Sequence, residues 1–310
     1  MDVLLVDHPI IQLVLPNVSP VRMPLHQKWY MLDMCDWLHI AWRLRTLYLS
    51  AKRNMLLGGM TITHSKLLSR AEDLHLNLSD LDASNKQAYV GMLKIFDFSY
   101  IPSKKLAKET NHIRDALLGH TSHRSNYLFI EFCHTFTRMF VIKGLSPREI
   151  ILDASFCIMF LGFWRRDVES RFGKKEGRSS HLLSRETHQD VLTTCMMLIL
   201  SIKLFREVCP HVLFEPSRMS SRFCEYVFQH ARAVTKTSSK FDALQFVHIM
   251  RGMVVALEVV ATNDGMPTMQ AKRGMQHNTG RTTGWNKAPE GYYPADDEML
   301  DIITQVINNV

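Results

Sequence analysis

The chain has 310 residues, 46% of them hydrophobic and 22% charged, which is enough to bury a large core and supply two structural units. That composition excludes a disordered chain, and 14 Gly and 11 Pro exclude collagen-like and low-complexity classes. Lys and Arg (37) outnumber Asp and Glu (30) by seven, a balance compatible with a polyanion partner but not requiring one.

The opening stretch MDVLLVDHPIIQLVLP is apolar but lacks a basic leader region and holds Asp2 and Asp7, which argues against a signal peptide. Short extended segments are expected at residues 3–6, 11–15 and 28–32. From Trp37 the apolar residues Leu38, Ile40, Ala41, Leu44, Leu47 and Tyr48 recur at helical spacing, with Arg43 and Arg45 on the opposite face. Gly58-Gly59 is expected to stop this helix. Helices are then expected at 63–74, from about 85 to 98, and at 105–118, 127–143, 147–172, 188–208, 220–235, 241–262 and 296–307. The helix at 147 has the strongest start: Ser146 can cap, Pro147 suits the first position, and Glu149 completes the box. The stretches 173–180 and 263–294 are polar and glycine-bearing and read as a loop and a linker. The expected class is mainly α, with a strand-bearing N-terminal edge.

No apolar run reaches the ~18 residues a membrane span needs. The best candidates, 150–164 and 191–205, are broken by Asp153 and by Lys203, so no membrane partner is expected. Six Cys (35, 133, 157, 195, 209, 224) are dispersed without a C-x-x-C pair, the pattern of a reducing, intracellular setting. His120, His123 and His134 lie near Cys133, but no second thiol pair completes a zinc set.

The usual nucleotide, hydrolase and zinc-protease signatures are absent. Two acidic residues stand in distinctive contexts. Asp36 sits where an aromatic extended segment (Trp29, Tyr30) meets a helix; His39 follows one turn later, and Arg43 and Arg45 lie beyond it, able to meet a phosphodiester backbone. Its other use is as a plain N-cap. Glu225 lies in Ser221-Arg222-Phe223-Cys224-Glu225-Tyr226-Val227-Phe228-Gln229-His230-Ala231-Arg232, on a helix whose other face is apolar. Its other use is a solvated helical glutamate paired with Gln229 or Arg222. Lys174 and Lys175, in a glycine-bounded loop, add a small basic cluster; such a cluster can grip phosphates or simply solvate a loop.

The block Asp36-Trp-Leu-His39-Ile-Ala-Trp-Arg43-Leu-Arg45 resembles the D-x-x-H-x-x-x-K/R-L-R-N block of eukaryotic cut-and-paste transposases and their domesticated relatives. The Ser221–Arg232 segment is similar to the S-x-x-C-E-x-x-F-R-x-x-R block that carries the last acid of that family. Trp164-Arg165-Arg166 resembles a tryptophan–arginine pattern within its helical insertion. Thr46 and Gln229 depart from the family pattern, where Asn and Arg are usual.

The resemblance implies a partial RNase H-like α/β core at the N-terminal edge, interrupted by a large all-helical insertion. It divides the chain into a core remnant (1–53), the insertion (54–215), C-terminal core helices (216–262) and a polar linker with a terminal helix (263–310). Asp36 and Glu225 then correspond to two acids of a D–D–E triad holding Mg²⁺, for which hard carboxylate oxygens are needed, with His39 beside them. Arg43, Arg45, Arg222, Arg232, Lys174 and Lys175 are the expected DNA ligands. In the family the first acid precedes the D-x-x-H block by several strands; here Asp7 is the sole placed candidate, across a gap too short for those strands, and an active nuclease using it is a third reading. The expectation is therefore a truncated or rearranged, nuclear, DNA-binding derivative without strand transfer. The alternative is a helical protein-interaction module with no nucleic-acid role.

Overall fold

The computed structural model describes residues 35–50, 53–69, 71–72, 76–85, 88–96, 117, 123–176, 180–219 and 288–309. The chain divides into two units. Met1–Pro210, Phe214–Met219 and Pro289–Val310 form the first, and His211–Leu213 with Ser220–Ala288 the second. Nearly all described residues belong to the first, which is mainly α.

Its frame is four helices: α1 (Trp37–Leu49), α5 (Arg124–Val141), α6 (Pro147–Phe172) and α8 (Arg185–Val208). Three of them start on side-chain caps that satisfy otherwise orphaned backbone N–H groups. Asp36 Oδ1 accepts from the Leu38 N–H at 3.0 Å, and Ser184 Oγ accepts from the Thr187 N–H at 3.2 Å. Ser146 and Glu149 form the full reciprocal capping box ahead of Pro147. The aromatic contacts give the directions. Trp37 stacks on Phe140 and Tyr48 on Phe129, so α1 runs antiparallel to α5. Phe132 stacks on Phe160 at 5.0 Å and Phe129 meets Trp164 edge-on, so α5 runs antiparallel to α6. Arg43 reaches Asp190 while Arg53 reaches the Leu182 carbonyl, so α1 also opposes α8. The result is an up-down-up-down bundle. Its centre is the fully buried column Phe129, Phe132, Phe136 and Trp164, each contributing about 1.5–3 kcal/mol of transfer free energy. Trp37–Leu49 forms one wall of this bundle.

Two smaller pieces close its sides. A β-hairpin pairs β1 (Leu56–Leu57) with β2 (Met60–Thr61), turning through Gly58 and Gly59 at φ 61° and 77°. Only glycine takes both positive values without strain, so this pair makes a two-residue hairpin turn rather than a helix stop. α1 instead ends at Leu49, where Ser50 turns extended. The hairpin is pinned from below: Trp164 Nε1 donates to the Leu56 carbonyl and the Gly58 N–H donates to Asp167. α2 (His64–Leu68), α3 (Leu78–Leu81) and α4 (Tyr89–Ile95) follow as short helices. Each of α2 and α4 is shorter than the periodicity suggests.

α5, α6 and α8 stand at the expected places, α6 with the expected bounds. α7 (Lys174–Glu176) is a single turn after α6, and α9 (Asp296–Asn309) packs against α6. The expected elements at 3–6, 11–15, 28–32, 220–235 and 241–262, and nearly all of 105–118, lie outside the described residues. No helix among the described residues is long and apolar enough to cross a membrane.

Candidate nucleic-acid interface

Asp36 sits at the head of α1, its side chain 11% exposed, with Oδ1 committed to the cap and Oδ2 3.8 Å from His39 Nε2. His39 is half-exposed and meets Trp42 edge-on. Both the N-cap use and the one-turn neighbour relation with His39 are therefore realised at once. Arg43 lies one turn beyond His39, but its guanidinium is engaged by Asp190 of α8. The other oxygen of Asp190 accepts from the Cys35 thiol at 3.4 Å, so one carboxylate ties the head of α1 to α8. Asp190 was invisible to sequence reasoning: it lies 147 residues from Arg43, and no local pattern marks it.

Arg45 is placed differently from the phosphate-facing position expected of it. It is 1% exposed, and its guanidinium nitrogens donate to the carbonyls of Asn85 at 2.9 Å, Asp80 at 2.5 Å and Asp82 at 3.1 Å. Burial works against its charge while Asp80 and Asp82 support it. Asp80 is itself held by Lys94 at 3.0 Å and by the Asn77 capping box of α3. Arg45 is thus an internal clamp on the α3–α4 loop, its guanidinium sealed from the solvent from which DNA would approach. The apolar stripe of α1 is wide enough to draw this position inward, which the two-arginine pattern conceals.

The far end of α6 carries the exposed cations. Arg165 pairs with Glu169 at 2.6 Å and Arg171 with Asp167 at 2.7 Å, both one turn apart. Arg166 instead lies over the half-exposed Phe163 ring, 5.1 Å from its centroid. Lys174 and Lys175 follow Gly173 and are exposed. Their position just beyond the C-terminus of a 26-residue helix is favourable for cations.

Glu225, Arg222 and Arg232 lie outside the described residues. Among the described residues no three His, Cys, Asp or Glu side chains are placed to share a metal ion. Magnesium takes oxygen ligands and imidazole is a poor one for it, so Asp36 and His39 by themselves do not fit the ion. His134 Nδ1 lies 2.8 Å from the Phe96 carbonyl, which gives it a structural bond. The chain matches no family model, no curated protein and no solved structure.

Proposed function

We propose that the protein is a transposase-derived DNA-binding protein, nuclear in location, that grips the phosphate backbone without cutting it. The observation that carries this is the Asp36–His39 pair at the head of α1, in the block Asp36-Trp37-Leu38-His39, opening directly into a long helical stretch. An RNase H-like core with a helical insertion would place a metal-binding carboxylate at such a junction. The mainly helical bundle that follows is consistent with the insertion. Arg166, Lys174 and Lys175 supply a basic end from which phosphates can be reached. Magnesium enters only if Asp36 and Glu225 converge on one site.

Binding to duplex DNA over a potassium chloride series tests the proposal. The logarithm of the affinity should fall linearly with the logarithm of salt, and K174A/K175A should reduce that slope by about 1–2. No binding at low salt, or affinity indifferent to salt, would remove the DNA role. No magnesium- or manganese-dependent nicking is expected; nicking lost in Asp36→Ala would show that the site still works.

The alternative, a helical interaction module, is favoured by one observation. Arg45 is buried and Arg43 is paired, which removes two expected phosphate ligands from α1. It predicts that K174A/K175A leaves any nucleic-acid affinity unchanged.

A further inference from the structure

In a chain of net charge +7, residues 289–310 hold five acids (Glu290, Asp296, Asp297, Glu298, Asp301) and no Lys, Arg or His. Three of these acids form the first turn of α9. That turn does not lie over neutral surface. Asp296 accepts from Arg206 at 2.6 Å through Oδ1 and from Lys203 at 2.9 Å through Oδ2, both on α8. Glu298 accepts from Arg148 of α6 at 2.8 Å. Arg206 also donates to the Pro294 carbonyl at 2.7 Å, and Arg148 to the Gly291 carbonyl at 3.3 Å. Three cations from two helices thus converge on oxygen atoms of one acidic segment. These cations hold both carboxylates below the usual range.

The ionic contacts stand at the rim. The Asp296 side chain is 62% exposed and that of Glu298 46%, so salt and competing anions reach them. Beneath them α9 is seated by a narrow apolar stripe, Met299, Ile302, Ile303 and Val306, of which only Met299 and Val306 are fully buried. A phosphate presents the same chemistry as these carboxylates: anionic oxygens able to take paired N–H donors from arginine.

We propose that Arg148, Lys203 and Arg206 form a second phosphate-binding site, and that α9 is an acidic strap closed over it in place of a nucleic-acid backbone. This rests on the DNA-binding reading and adds its regulation: the strap and the polyanion compete for the same three cations. Opening α9 would extend the DNA contact from the Lys174–Lys175 end to the N-terminal end of α6.

The test uses the full chain in two measurements. In the first, D296N/E298Q is compared with the unaltered protein for duplex DNA binding. The substitutions keep shape and polarity while removing both anions, and circular dichroism checks that the fold is retained. Affinity at low salt should rise on the order of tenfold and the salt slope steepen by about 2–3, a gain that R148Q/K203Q/R206Q added to the same chain abolishes. In the second, amide hydrogen exchange across residues 296–309 is followed with and without inorganic tripolyphosphate, and protection should fall when it is added. Unchanged DNA affinity together with unchanged protection overturns the strap. If the unaltered protein binds DNA in that case, the DNA reading stands alone. If no variant binds DNA but tripolyphosphate releases α9, the phosphate site stands and the DNA reading falls.

Discussion

Of the places in this molecule that hold cationic side chains against oxygen, two do opposite things with the same chemistry. At Arg45 the oxygens are backbone carbonyls of a loop, the side chain is sealed from water, and nothing mobile can take its place. At Arg148, Lys203 and Arg206 the main partners are carboxylates of one helix, open to solvent, joined by the carbonyls of Gly291 and Pro294 just ahead of it. A buried charge that bridges several backbone carbonyls organises the chain around it, and removing it leaves acceptors without partners. A cation whose carboxylate partner stands open to water is held by a screened contact that contributes little to stability and remains exchangeable. Location, rather than residue type, separates an architectural contact from an exchangeable one.

The largest test of that contrast is Arg45→Ala. It should lose about 3–5 kcal/mol in denaturant unfolding, because it empties a buried site and strands the carbonyls of Asp80, Asp82 and Asn85. A loss below about 1 kcal/mol would mean that water replaces the clamp and that the contrast is false.

Arg138 and Asp153 provide an intermediate case, a pair linking the partly exposed Arg138 of α5 to the buried Asp153 of α6 at 2.6 Å. Burial raises the Asp153 carboxyl from 3.8 to about 6, outweighing the opposing pull of Arg138, while Glu149 and Glu131 add to the rise. The folded state therefore holds this proton more tightly than the unfolded state. Its contribution is present below about pH 4 and lost as pH rises through about 6, amounting to about 2–3 kcal/mol. Comparing Asp153→Asn with the unaltered protein isolates it: the difference should move in favour of Asn between pH 4 and 7, and a pH-independent difference would contradict it.

Gly91→Ala probes the packing that supports the clamp. A Cβ there would come within 2.9 Å of the Asp80 backbone, so α4 must shift away from α3, at a cost of about 1–3 kcal/mol. An unchanged unfolding midpoint would show that this loop yields freely. Smallest of all is Lys203→Gln at the rim. Its effect on thermal unfolding should be slight at low salt and should vanish above about 0.5 M salt. A large, salt-resistant loss would make the rim architectural, like Arg45.

How far the fold was legible follows from how local its causes are. The capping box at Ser146, the proline beside it and an apolar run free of glycine until 162 specify α6 from neighbouring residues alone. The Gly58-Gly59 hairpin was equally local, and the pair carries a known two-residue hairpin signature; taking it as a helix stop missed β1 and β2. Asp36 as a cap with His39 one turn away was also within reach, since both relations span three residues or fewer. Asp190, which engages Arg43, and the carbonyls around Arg45 come from 34 to 147 residues away, where period and spacing carry no information.

By itself, then, the sequence determined a mainly helical chain, where its long helices run, and which short blocks place an acid, a histidine and arginines together. Only the tertiary structure decided which of those cations face water. Adjacent arginines on one helix cannot be told apart by composition. They are separated by what packs against each face, and that depends on which distant segments the bundle brings beside them.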